Sequence, residues 1–292
     1  MTSTMTSTVP SLPPVATDLK DRPVLRIAPS KGWVPLQLRD LWDYRELIVI
    51  FAQRDLSIRY RDTLIGALWA ILQPVSMMIV FTFLMGHSNR AQTTVPYPVY
   101  CYCGLLVWQY FNSAVNAAAM SLVNNSGLLT KVFFPRLLIP IANLIPPIVD
   151  SLISFTVLIV LLVYYRIPVT PNVLWSPVFF ALALVTTVGA SFWLSALNTF
   201  YRDVKYALPF LLMMLMYLTP VVYSADTLHG PARSFCFLNP LAVAVEGFRW
   251  SVLGVGQVSL PTFLIALGIA AGLFLSGAYY FRNMESNFAD WV

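Results

Sequence analysis

The sequence predicts an all-α integral membrane protein, and three observations predict it. The first is composition: 58% of the 292 residues are apolar and 11% are charged, where a soluble domain carries roughly 45–50% and about 25%. The second is the run of apolar windows, since crossing about 30 Å of hydrocarbon takes roughly 20 apolar residues and six windows of that kind occur, near 64–85, 99–121, 137–165, 177–200, 207–224 and 261–281. The third is where the charge sits. Residues 18–62 hold nine Lys or Arg and seven Asp or Glu, 16 of the chain's 31 charged residues, and the remainder is almost free of charge.

Orientation follows from the basic residues between spans. With the N-terminus inside, the cytoplasmic side holds nine basic residues of the first 62 plus Lys131, Arg136, Arg202, Lys205 and Arg282, which makes fourteen against four (Arg90, Arg166, Arg233 and Arg249) on the other side. Both termini are therefore expected in the cytoplasm of a cell with this chain in its inner membrane. The net charge of +5 is accounted for by this asymmetry, which argues against nucleic acid as a partner.

Residues 1–35, rich in Thr, Ser and Pro, read as a disordered cytoplasmic tail without the basic and apolar regions of a signal peptide. Residues 36–62 read as an amphipathic interface helix and connector, with Leu41, Tyr44, Ile48 and Phe51 on one stripe and Asp40, Asp43, Glu46 and Arg54 off it. Residues 63–292 make the six-span domain. Its third span contains Pro146 and Pro147, which predict a kink or break, and its fifth is short. Between the last two spans, residues 225–260 are too charged to span and too apolar for a free loop. Two short re-entrant or interfacial helices fit there, with Glu246 and Arg249 three residues apart, either as part of an outer gate or as an ion pair anchoring the helix.

The chemistry of an enzyme is missing. There is no GxxxxGK[ST] phosphate loop, no GxSxG and no HExxH, and Cys101, Cys103, Cys236, His87 and His229 form no cluster of metal-ligand spacing. No catalytic residue, metal or cofactor is assigned to this chain. Asp150 is the one carboxylate deep within a span; it lines a wet cavity near the two prolines, or it is satisfied by hydroxyls such as Ser151 and Ser154. A chain without its own energy source can borrow an ATPase if it offers a lever. NNSGLLTKVFFPR, Asn124 to Arg136, suits a short helix capped by Asn124, Asn125 or Ser126 and ended by Pro135, and equally a plain connector. YRDVK, residues 201–205, is expected as a cytoplasmic turn whose charges stay in water.

At these residues a family comes into view. RDLSIRYRDTLIGALWAILQP, NNSGLLTKVFFPR, LSALNTFYRDVKYALPFLL with LTPVVYS, LNPLAVAVEGFRW and FRNMESNFADWV resemble the membrane subunit of bacterial ABC exporters for surface polysaccharides, the type 2 permeases of O-antigen, capsule and teichoic acid export. The resemblance runs from about Leu38 to the C-terminus. It implies a homodimer that docks two ATP-binding subunits, which hold the ATP and Mg, and that moves an undecaprenyl-diphosphate-linked glycan outward.

The resemblance also implies roles. Leu41 to Asp55 becomes the interface helix, Ala225 to Leu253 the external gate helices with Glu246 and Arg249, and Asn124 to Phe134 the coupling helix. Asn124, Asn125, Ser126, Leu128, Leu129, Lys131 and Phe133 would meet the ATPase, with Arg202 and Lys205 beside them. For the glycan, which slides well over aromatic faces, the path would use Tyr102, Trp108 and Tyr110 of a cluster that includes Tyr97, Tyr100 and Phe111; an interfacial aromatic belt is the other reading. Arg59, Tyr60 and Arg61 would receive the lipid diphosphate at the entrance, or the arginines enforce topology. Tyr217, with Met213, Met214 and Met216, marks a lateral gate or ordinary packing. The alternatives at the level of function are a permease for drugs or small lipids and a membrane glycosyl- or acyltransferase.

Overall fold

The computed structural model describes residues 42–61, 65–85, 95–129, 134–285 and 288. Among the described residues there is no strand. The helices are α1 (Arg45–Tyr60), α2 (Leu68–Met85), α3 (Tyr97–Asn124), α4 (Ser126–Leu129), α5 (Leu138–Asn143), α6 (Ile145–Tyr164), α7 (Ser176–Phe200), α8 (Val204–Leu218), α9 (Pro231–Phe237), α10 (Pro240–Leu253) and α11 (Leu260–Met284).

Among the described residues, four segments are long and apolar enough to cross a membrane: Leu68–Met85, Leu138–Tyr164, Pro171–Phe200 and Leu260–Met284. The other two windows read as spans differ for physical reasons. α3 has 28 residues, ample length at 1.5 Å per residue, but is less apolar because it is the central helix. Its Tyr, Cys and Ala side chains and Gly104 are buried against α2, α6, α7 and α10 rather than facing lipid. α8 has 15 residues and ends at Leu218 because the chain then turns, extended, into a set of buried hydrogen bonds.

The third window is broken as its prolines require. α5 stops at Asn143 and α6 starts at Ile145 with Pro146 and Pro147 in its first turn, where a missing N–H costs nothing. α10 shows the same logic: Asn239 accepts a hydrogen bond from the Leu241 N–H at 3.0 Å, and Pro240 opens the helix.

α7 packs most extensively on α11 and α3, and small residues allow the approach. A Cβ on Gly189 would lie 2.7 Å from the Phe274 backbone N and 2.8 Å from the Leu273 carbonyl carbon. Backbone cannot swing aside as a side chain can, so Gly189→Val is expected to lower stability by about 1–3 kcal/mol through overpacking; thermal unfolding of the purified chain checks this. Across the α3–α7 seam the buried Asn198 amide donates to the Ala119 carbonyl at 2.9 Å, and the hydroxyls of Ser121 and Ser195 lie 3.4 Å apart.

The surface helix α1 uses part of the stripe its sequence suggested. Leu47, Ile48, Phe51 and Ala52 face the bundle, together with Phe134 and Phe281, while Tyr44 is exposed and Leu41 lies outside the described residues. Val49, Ile50 and Ile58 remain exposed, so a second apolar face is left for lipid. The cause is tertiary: packing on α5 adds Leu47 and Ala52 to Ile48 and Phe51 and leaves Tyr44 outside.

Candidate functional site

One end of the bundle gathers α1, α4, the 201–203 turn and the end of α11. Asn125 was expected to cap the next helix; instead its amide turns back to the Ser121 carbonyl at 2.8 Å, and its oxygen accepts from the Arg54 guanidinium at 2.8 Å. Arg54 also pairs with Asp55 at 2.8 Å and lies over the Phe51 ring. Surface helix α1 is thereby tied to the root of α4. Beneath it, the Arg136 N–H donates to Glu285 at 2.8 Å, Arg282 pairs with Glu285, and Phe288 buries its ring against Phe281 and Phe200. α4 thus emerges from a cross-braced base.

Of the residues expected to meet an ATPase, Asn124 is exposed, and Asn125, Ser126 and Leu128 are half-buried on or beside α4. Leu129 closes α4. Lys131 and Phe133 lie outside the described residues. Arg202 and Lys205 are exposed in the turn and at the start of α8, with the Lys205 ammonium 4.7 Å from the Tyr206 ring centroid. The charges of this turn are therefore hydrated in the isolated chain.

A second feature joins α1 to the bundle. Asp150, in the second turn of α6, receives the Arg59 guanidinium at 2.5 Å and the Tyr60 hydroxyl, while the other arm of Arg59 donates to Ser113 on α3 at 3.2 Å. Ser151 and Ser154 do not serve the carboxylate: their hydroxyls donate to the Pro147 carbonyl at 2.9 Å and the Ala70 carbonyl at 2.7 Å. The carboxylate is satisfied from α1, a partner 90 residues away that no local spacing indicates. Around it lies a cavity of about 220 Å³ with Gln73, Gln109 and Tyr110 in its wall. Arg61 is exposed beside it.

The other span-two aromatics are placed differently from the sugar path expected of them. Tyr102 and Trp108 are buried inside the chain's own core, and the Tyr102 hydroxyl donates to the Ser154 carbonyl at 3.0 Å. A ring packed on all sides offers no face to a sliding sugar. Tyr217, by contrast, is exposed on α8 with Met213 and Met214.

At the opposite end, Arg249 is 0% exposed and Glu246 is 4% exposed, so they are not an interfacial pair on a helix surface. The Arg249 guanidinium donates to the Pro220 carbonyl at 2.6 Å, the Tyr100 hydroxyl at 3.0 Å, the Tyr100 carbonyl at 3.2 Å, the Val221 carbonyl and Glu246 at 3.3 Å. Its plane lies 3.9 Å from the Tyr100 ring centroid. Glu246 in turn accepts the Ala225 N–H at 3.1 Å. One arginine so closes the chain after α8 onto α3 and α10. Gly104 makes this possible, because any Cβ there would collide with the guanidinium and the Val221 carbonyl. The sequence spacing of Glu246 and Arg249 announced a pair; the carbonyl and hydroxyl partners of Arg249 had no local signal.

Comparison with known families decides what this arrangement belongs to. The model for ABC-2 type transporters matches residues 46–253. The chain belongs to the ABC-2 type transporter family. That ABC-2 match begins in α1 and ends with the last residue of α10, so it contains the Arg54–Asn125 brace, the Asp150 cavity and the Arg249 cluster, while Glu285 and Phe288 of the base lie beyond it.

Among curated ABC-2 relatives, the O-antigen export system permease protein RfbA of Myxococcus xanthus is 30% identical over 87% of this chain and 98% of its own length. A Klebsiella pneumoniae protein of the same name is 28% identical over 84% and 94%. The polysialic acid transport protein KpsM of Escherichia coli is 24% identical over 80% and 92%.

Proposed function

We propose that this chain is the membrane permease of an exporter that carries a lipid-linked surface polysaccharide out of the cytoplasm. The observation that carries the reading is similarity over nearly the whole length of relatives named for O-antigen export and polysialic acid transport. The substrate is then a glycan on undecaprenyl diphosphate, presented at the inner leaflet, and two copies of the chain work with two separate ATP-binding subunits. Both termini face the cytoplasm.

In this reading Asn124, Asn125, Ser126, Leu128, Leu129, Lys131 and Phe133 form the coupling segment seated in the ATPase, with Arg202 and Lys205 on the same docking surface. The brace from Arg54 to Asn125 supports it, because a lever needs a stiff root: a push on α4 passes to α1 and α3 instead of being absorbed in a loop. ATP and Mg belong to the partner subunit. Glu246 and Arg249 act in the external gate as the fixed point on which α9 and α10 are hung.

Arg59, Tyr60 and Arg61 receive the diphosphate. A phosphate and a carboxylate take the same arginine geometry, so an arriving diphosphate would compete with Asp150 for Arg59 and loosen α1 from α6. Tyr217, exposed on α8, remains the aromatic suited to sugar contact; Tyr110 borders the same cavity, but its ring is buried against Phe180 and shapes the wall. Tyr102 supports the wall from behind through its hydrogen bond to the Ser154 carbonyl, and Trp108 packs on Phe111 in the core.

The test is stimulation of the partner ATPase in the reconstituted complex. Lipid-linked oligosaccharide is expected to raise ATP turnover several-fold, and Arg59→Ala to reduce that response by about tenfold, the effect of losing one charge-assisted contact worth roughly 1.5 kcal/mol. Stimulation by hydrophobic drugs instead would favour a permease for small lipophiles. Product formation by the chain alone would favour a transferase.

A further inference from the structure

Between α9 and the start of α11 lies a groove of about 790 Å³, within the roughly 300–1,000 Å³ of small-molecule sites. It is separate from the Asp150 cavity, and nothing in the proposed export cycle uses it. Its lining is mixed: Arg233 and Ser234 of α9 and Gln257, Ser259 and Thr262 at the start of α11 are polar, while Phe235, Leu238 and Ile265 are apolar and exposed in this chain. Helix α11 is one of the helices long and apolar enough to cross the bilayer. Along α11 the lining passes from Ser259 and Thr262 to Ile265, the order expected of a helix that runs from headgroups into hydrocarbon.

Below Ile265 the same face of α11 continues through Gly268, Ile269 and Gly272, which follow at helical spacing. All three are exposed, and a Cβ on either glycine would meet nothing within 4 Å. Thr262 to Gly272 spans ten residues, about 15 Å along the axis, which is half of the roughly 30 Å hydrocarbon thickness. A shallow apolar track one leaflet long thus runs down from a polar mouth that holds a cation.

We infer that this groove binds one phospholipid with an anionic headgroup from the leaflet at the α9 end of the bundle. Its phosphate meets Arg233 and the Ser259 and Thr262 hydroxyls, and an acyl chain lies along Ile265, Gly268 and Gly272. Arg233 has a partner already, Asp226 at 3.1 Å, but both side chains are largely exposed, and such pairs contribute little; a phosphate at the membrane surface can displace it. Charge at the mouth and length of the track together favour a phospholipid over a free sugar, which would leave the track empty.

Native mass spectrometry of the purified full chain, titrated with phosphatidylglycerol and phosphatidylethanolamine, tests this. The expected result is preferential retention of phosphatidylglycerol. Arg233→Gln should weaken that retention about fivefold, the weight of one basic residue near an anionic surface, without changing retention of phosphatidylethanolamine. Gly268→Leu, whose side chain projects into open space and so leaves the fold intact, should release both lipids. Equal retention of the two lipids by the unaltered chain would overturn the inference. So would an unchanged Arg233→Gln variant, or a Gly268→Leu variant that keeps its lipid and changes only its oligomeric mass, which would make the track a contact between copies.

Discussion

Replacing Arg249 by methionine is expected to prevent the chain from accumulating in folded form. Removing one member of a buried pair costs about 3–5 kcal/mol because the other charge stays behind, and total stability is only about 5–15 kcal/mol. Here the remaining member is Glu246, 4% exposed, and the carbonyls of Pro220, Val221 and Tyr100 also lose their donor. Glu246→Gln should be far milder, since the arginine keeps its carbonyl and hydroxyl acceptors. The double replacement should recover part of the loss but not all of it. Monodisperse yield and thermal unfolding of the three variants check this order. Arg249→Lys should resemble methionine more than arginine, because a point charge with three donors cannot fill a planar site that uses every edge of a guanidinium.

The second large effect concerns coupling. Changing Leu128 and Leu129 together to aspartate should leave the chain folded and inserted, since Leu128 is only half-buried and α4 is a single turn. Two carboxylates at the centre of a docked contact should nevertheless lower coupled ATP turnover at least about tenfold, a change of about 1.4 kcal/mol, and weaken co-purification of the ATPase. Arg54→Ala should separate the two outcomes. It removes the brace on Asn125 without touching the docking face, so the ATPase should still co-purify while turnover stimulated by substrate falls. Normal turnover in both variants would remove the lever from this segment.

Much of the architecture was legible in the sequence because a bilayer imposes simple rules. Apolar windows of the right length, a proline pair that breaks a helix, and a short fifth window all reappear as α2, α5–α6 and α8. What escaped was decided by distant chain segments. On α1 the periodicity named Ile48 and Phe51 but not Leu47 and Ala52, because packing on α5 decides the edges of the buried stripe. Asp150 was recognised as unusual, yet its partners lie at Arg59 and Tyr60, with nothing local to name them. Tyr102 and Trp108 looked like an aromatic lining because composition cannot tell a ring facing a path from a ring facing the core. Glu246 and Arg249 were legible as a pair by spacing, but their burial followed only from the way Gly104 and the chain after α8 close over them.

The central claim is that this chain has no motor of its own and exports its glycan through ATP hydrolysis by a separate subunit. The direct measurement is translocation of a fluorescent undecaprenyl-diphosphate-linked oligosaccharide across proteoliposomes containing the chain, with and without the ATP-binding subunit. Movement that requires both the subunit and hydrolysable ATP is the predicted result. Movement at the same rate by the chain alone, or in the presence of a subunit unable to hydrolyse ATP, would contradict it.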